Sequence, residues 1–217
     1  PRPHLRKPNR ADGTTGATPV IVRHPGKPPV IPPASGKVRS YDPANGDLLW
    51  QCAGLTGNAI PCPVVENGVV FCMSGYKGYS LLALPLTARG DITGTDKILW
   101  RKNRGTPYIP SPVLYDGLLF YSQSNQALLT ITDAKTGETH LDRERLRDVS
   151  NVYSSPVGAA GKVYITGRNG VTLVLKRAKK LEVLAQNKLK DRLDASPALA
   201  GNQLYLRGRR FLYCIGE

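Results

Sequence analysis

Few residues in this chain of 217 can do chemistry, and their spacing argues against a catalytic set. There are three histidines, His4, His24 and His140, and the first two fall in an irregular Pro-rich N-terminal stretch. A zinc cluster or a Ser-His-Asp arrangement needs convergent imidazoles, so neither has the material here. His140 is expected to be structural or solvated. The four cysteines are Cys52, Cys62, Cys72 and Cys214. If Asn67-Gly68 forms a two-residue hairpin turn, Glu66 faces Val69 and Cys62 falls opposite Met73, which puts Cys62 and Cys72 on opposite faces and forbids a bridge between them. A Cys52–Cys214 bridge stays open as an alternative to the expected buried free thiols, so cysteine usage leaves the redox compartment undecided. A Ser, Thr or Cys precedes each of Pro19, Pro63, Pro112, Pro156 and Pro197. Proline has no N–H to donate and is tolerated at a strand's first residue, so these pairs read as openings of inner strands rather than as catalytic serines. The glycines of "GYKGYS" and "TGRNG" read as hairpin turns, since no helix follows for a phosphate to cap. The acidic residues sit mostly in turns, as Asp116 and Asp133 do. No catalytic or metal-binding residue is assigned.

Charge is the feature that could point to a partner. Thirty Lys and Arg against 16 Asp and Glu give a formal +14, with clusters at 101–104, 143–147, 176–180, 188–192 and 207–210. Such a surface attracts nucleic acid, anionic polysaccharide or lipid headgroups through counterion release and long-range steering. The clusters fall in outer strands and loops, where a solvated face with weak polyanion affinity is the expectation. No aromatic-interleaved basic strand that would stack bases is present, so no specific nucleic-acid motif is read. No run of 18 apolar residues exists, so no membrane-spanning helix is expected.

The elements that must position these residues repeat. "SPVLYDGLLFY" at 111 returns as "CPVVENGVVFC" at 62, "SPVGAAGKVYI" at 155 and "SPALAGNQLYL" at 196, with a weaker "TPVIVRHPGKPPVI" at 18. The five prolines are spaced by 44, 49, 44 and 41 residues, a period that belongs to repeat architectures. Each hairpin is followed by a further apolar strand, as in "GKVRSYD" at 36 and "QALLTITD" at 126. Outer segments then follow at 42–50, 91–100 and 133–141, with a degenerate fourth at 176–184. Turns such as Asn67-Gly68 and Asp116-Gly117 tolerate positive φ between Val-, Leu- and Tyr-rich runs, which marks tight hairpins. Strand cores such as "VVFC" and "LLFY" are continuous apolar runs, so both faces of each sheet are expected to be covered. Four short antiparallel strands per repeat describe a β-propeller blade. The expected organisation is a basic, Pro-rich lead-in over 1–17, disordered or extended, and repeats near 18–61, 62–110, 111–154, 155–195 and 196–217. In the first repeat Pro28, Pro29, Pro32 and Pro33 delete ladder donors, so that blade is expected to be frayed or to present its second strand as an edge. The chain begins with Pro1 and its single Met is Met73, so it is expected to be a processed chain or a piece of a longer one.

The pairing of "DPANGDLLW" with "PVVENGVVF" resembles the pyrroloquinoline-quinone (PQQ)-like, BamB-like propeller repeat, and "GTPYIPSPVLYDGLLFY" and "DASPALAGNQLYLRG" are similar to the C-terminal half of secreted bacterial proteins of that family. The resemblance covers roughly residues 18–217. It implies an all-β propeller of four-stranded antiparallel blades, about five here out of a seven- or eight-bladed whole. It also implies a docking motif between blades at Asp42, Gly46 and Trp50, at Trp100, and at Asp133 with Gly137. "KRAKKLEVL" departs from that motif, and His140-Leu141 stands where the third repeat should carry a Trp. In the quinoprotein enzymes of the family, PQQ sits on a vicinal Cys-Cys disulfide and a stacking Trp, with Ca²⁺ alongside. This chain has no adjacent cysteines, and both tryptophans fall in docking positions. The resemblance therefore implies a non-catalytic binding or scaffolding module with protein partners, periplasmic or extracellular, with no cofactor and with Tyr108 and Tyr153 on a binding end face. The alternatives are a PQQ- and calcium-dependent oxidoreductase whose site lies partly in an absent N-terminal half, and a polyanion-binding propeller.

Overall fold

A computed structural model of the chain describes residues 16–22 and 29–216. His4, His24, Pro28 and nearly all of the 1–17 lead-in lie outside the described residues. Those residues form two compact units, one ending at Thr106 and the other starting at Pro107. They contain strands, turns and bends and no helix.

The first unit holds two sheets. In the first, β1 (Val20–Ile21), β2 (Val30–Ile31), β3 (Pro33–Ala34), β4 (Lys37–Tyr41) and β5 (Leu48–Ala53) are antiparallel, with β2 and β3 both on β4. The pairs Val30↔Tyr41, Pro33↔Val38 and Ala34↔Lys37 share one register, so β2 and β3 are a single second strand broken at Pro32. Proline removes the ladder donor there, and the strand continues past the gap because the turn Ser35-Gly36 closes the hairpin behind it. The second sheet pairs β6 (Val64–Glu66), β7 (Val69–Ser74) and β8 (Ser80–Pro85), with β10 (Trp100–Lys102) as its outer strand.

The segment between β8 and β10 departs from the sequence reading, which gave all of 91–100 to the second repeat. β9 (Gly90–Asp91) instead runs parallel to β5 in the first sheet, pairing Gly90 with Trp50 and Asp91 with Gln51. An edge strand with unpaired N–H and C=O groups needs covering. Ile92 N–H donates to the Gln51 carbonyl at 3.0 Å, Ala53 N–H to Thr93 Oγ1 at 2.9 Å, and Gln51 Nε2 to Asp91 Oδ2 at 2.8 Å. The segment "DIT" is thus a clasp on the edge of β5, with Ile92 buried in the core between the two polar residues, and the outer strand of the second sheet is three residues long.

The second unit holds three sheets. The third is β11 (Val113–Tyr115), β12 (Leu118–Ser122), β13 (Leu128–Asp133) and β14 (Thr139–Arg145). The fourth is β15 (Val157–Ala159), β16 (Lys162–Thr166), β17 (Val171–Lys176) and β18 (Val183–Lys188). The fifth has three strands, β19 (Ala198–Ala200), β20 (Gln203–Arg207) and β21 (Leu212–Ile215). Every strand pair in these sheets is antiparallel, and the hairpin registers repeat: Glu66↔Val69, Tyr115↔Leu118, Ala159↔Lys162 and Ala200↔Gln203. The turns behind these pairs bring Asn67, Asp116 and Ala160 to φ near +50°, the left-handed conformation that Asn and Asp adopt more cheaply than Ala.

Burial follows the apolar runs. β7, β8 and β12 are buried over nearly their whole length, as their continuous Val, Leu and Phe content requires. Trp50, Cys52, Val70, Cys72 and Leu84 anchor one core in the first unit, and Phe120, Ile131, Val163 and Leu173 anchor another in the second. The buried Tyr121 hydroxyl is satisfied on Thr132 at 2.9 Å. The expectation of two covered faces fails at the end of the array. β18 is exposed throughout, and in the fifth sheet Leu212 and Ile215 are 66% and 46% exposed. Those faces would need a further strand or sheet to cover them.

Candidate functional site

The docking-motif residues divide into turn builders and core fillers. Asp42 Oδ1 accepts the N–H of Ala44 at 2.9 Å, its own N–H donates to the Asp47 carbonyl at 2.9 Å, and Gly46 N–H returns to the Asp42 carbonyl at 2.7 Å with φ at +79°. Asp133 repeats this with Thr136, Lys135 and Gly137 (φ +75°). The Thr136 N–H, opposed by partial burial and helped by the Thr136 hydroxyl and Lys135 N–H, holds the Asp133 carboxyl below its ordinary value. The Asp and the Gly therefore shape the turn into the outer strand.

Trp50 is fully buried in the first unit's core. A bulge places Leu49 opposite no residue of β4, and the same bulge recurs at His140 and Leu184, so Leu141 and Ala185 occupy the position of Trp50 in the third and fourth sheets. Trp100 pairs with Ala83 and tilts against Phe71 at 5.6 Å. His140 lies 3.7 Å from Glu138 and 3.9 Å from Asp133 with its side chain 10% exposed, a bulge residue beside an acidic turn.

The five prolines each stand immediately before a first strand. Pro63, Pro112, Pro156 and Pro197 are buried and Pro19 is exposed. The serines ahead of them are linked in series in the second unit: Ser111 N–H donates to Ser155 Oγ at 2.9 Å, and Ser155 N–H to Ser196 Oγ at 2.9 Å. One hydroxyl per repeat thus satisfies the preceding repeat's backbone, a role in which a nucleophile is neither needed nor set up. Buried Thr106 and Ser154 do related work without having been singled out by sequence: Thr106 Oγ1 donates to Ser74 O at 2.6 Å, and Ser154 Oγ to Thr166 O at 2.7 Å. Tyr108 is held by its backbone on Ser124 O at 3.1 Å. The Arg168 guanidinium lies over one face of the Tyr153 ring at 4.0 Å.

All four cysteines are free. Cys52 and Cys72 are buried, and burial pushes both thiols up. Cys214 corrects the expectation of burial: it is exposed, because its strand β21 is the unpaired edge of the fifth sheet. Among the described residues no three His, Cys, Asp or Glu side chains come together as a metal site.

What the fold assembles instead is cationic. A cleft of about 490 Å³ is lined by Arg168, Lys188, Lys190, Arg192, Arg209 and Arg210 around Leu189, Asn169 and Asp191. The Asp191 side chain is 2% exposed. Its Oδ2 accepts from the N–H of Arg210 (3.1 Å), the N–H of Phe211 (3.2 Å) and the Tyr213 hydroxyl (3.2 Å), and Oδ1 accepts Arg192 N–H at 2.8 Å. Burial alone would push this carboxyl up, but the Arg210 and Phe211 N–H groups, the Tyr213 hydroxyl and the Arg210 charge outweigh it and hold it low. Sequence singled out the two basic clusters but not the carboxylate that joins them.

Comparison with known proteins places this geometry. Residues 4–142 match the family described as outer membrane protein assembly factor BamB, of the PQQ-like repeat type. A tetrathionate hydrolase of Acidianus ambivalens is 24% identical over 119 residues, covering 48% of this chain and 22% of that protein. The computationally designed Ika8 protein superposes with a TM-score of 0.68 at 12% identity, over 87% of this chain and 55% of the design. The designed Ika4 protein gives 0.58 at 12% identity, over 79% and 98%. The chain thus spans about a fifth of its curated relative and about half of Ika8, and the structural likenesses concern fold alone. With its all-β repeats, its Asp–Gly turns ahead of the outer strands and a match over well more than half its length, this chain belongs to the BamB family of PQQ-like β-propeller repeat proteins.

Proposed function

We propose that the chain is a non-catalytic binding or scaffolding module of the bacterial envelope, periplasmic or extracellular, with protein partners. One observation carries this reading: residues 4–142 match the family described as an outer membrane protein assembly factor. The quinone-dependent oxidoreductase reading draws no support from the residues present, since both tryptophans serve the sheets and no Cys-Cys pair exists to hold PQQ.

Dye-linked oxidation of an alcohol or sugar by the purified chain, with PQQ and Ca²⁺ added, should stay at the level given by PQQ and Ca²⁺ without protein. Turnover above that level would overturn the non-catalytic reading and establish the enzyme.

A further inference from the structure

We propose that the cleft between the 188–192 segment and the 208–211 turn is a binding site for a saccharide-sized ligand carrying two or more sulfate or phosphate groups. The two segments are about twenty residues apart in sequence, and Asp191 ties them together by accepting hydrogen bonds from Arg210, Phe211 and Tyr213, with a fourth from Arg192 in its own segment. Arg209 N–H adds a bond to the Arg192 carbonyl at 2.9 Å, and Arg210 Nη2 reaches the Lys190 carbonyl. Gly208 permits the approach, because a Cβ there would overlap Asp191 Oδ2. The cleft walls are therefore set before any ligand arrives, which lowers the cost of ordering them on binding.

Electrostatics then selects the ligand. Six cationic side chains line the cleft. Asp194 holds Arg168 and Arg192 by their Nε atoms, leaving their outer N–H groups to address a ligand. Asp191 is spent on backbone N–H groups, the Tyr213 hydroxyl and the Arg210 guanidinium, whose Nε lies 3.9 Å away. Lys188, Lys190 and Arg209 have no carboxylate partner among the described residues. Arginine forks match tetrahedral oxyanions in two-point fashion, and lysine adds point charges. The volume, about 490 Å³, falls in the range of small-ligand sites.

This site is independent of the non-catalytic, protein-partner reading, and either can fail alone. The test is calorimetric titration of the full chain at low salt with a fully sulfated heparin-derived tetrasaccharide, uncharged maltotetraose, pyrophosphate, and vesicles of 3:1 phosphatidylcholine and phosphatidylglycerol. We expect the sulfated tetrasaccharide to bind and maltotetraose not to. Lys190→Ala with Arg209→Ala should weaken binding at least tenfold, while the exposed pair Lys97→Ala with Lys135→Ala removes the same charge and leaves affinity within twofold. Equal weakening by both pairs would reduce the effect to net charge and overturn the site, as would a cleft variant that binds like wild type. Pyrophosphate binding with the same dependence on the cleft variant would support the oxyanion recognition and locate it in the charged groups alone. Vesicle binding without tetrasaccharide binding would overturn the saccharide assignment. Unchanged thermal midpoints of both variant pairs verify that folding is not the variable.

Discussion

Ala160 holds φ at +49° in a turn whose counterparts are Asn67 and Asp116, and at that residue the repeat departs from its own rule. Left-handed backbone costs an alanine about 1 kcal/mol more than glycine or asparagine. Ala160→Asn should therefore raise stability by about 0.5–1 kcal/mol, read as a shift of the urea midpoint without a change of slope. Trp50 poses the opposite case. It fills the core fully, yet its Nε1 has no hydrogen-bond partner, and Leu and Ala take its place in the later sheets. Trp50→Ala should cost about 3–5 kcal/mol by loss of packing, and Trp50→Leu distinctly less, because leucine keeps part of the packing and removes an unmet donor. Burial also sorts the thiols: native maleimide labelling should modify Cys214 rapidly and spare Cys52 and Cys72 until denaturant is added.

Among the elements, the serine series and the Asp191 clasp carry the links that strand ladders do not. Ser155→Ala removes the acceptor for the Ser111 N–H while leaving its own N–H bond to Ser196 in place, and should cost about 1 kcal/mol in a denaturant melt. The clasp carries a pH signature. Because the Asp191 carboxyl is held below its unfolded value, its stabilisation is complete above the ordinary carboxylate range and is lost as pH falls through the lowered folded value. The midpoint gap between wild type and Asp191→Asn should thus be constant from pH 5 to 7 and shrink below about pH 4. A gap that widened on acidification would contradict the assignment. Hairpin placement at this scale was legible in the chain, since Asn-Gly and Asp-Gly between apolar runs leave few other conformations. β9 was not, because a two-residue polar strand carries no period, and only the unmet edge of β5 gives it a reason to pair.

For the whole molecule, the net charge of +14 and the five-fold period were visible from composition and spacing alone, and so was the family, since its turn motif is local. Local signals determined the all-β class, the turn positions and the loss of ladder donors at the prolines of the first repeat, because each depends on steric preference or hydrogen-bond capacity within a few residues. Tertiary structure decided the rest. It turned the Ser-Pro pairs into a hydrogen-bonded series, left the Cys214 thiol exposed, and set the Arg168 guanidinium over one face of the Tyr153 ring. It also gathered two basic segments that sequence reads as separate solvated loops into one cleft around a buried carboxylate. Those outcomes depend on which residues meet across gaps of about twenty to forty positions, and that proximity is set by sheet register and turn packing rather than by any neighbour in the chain.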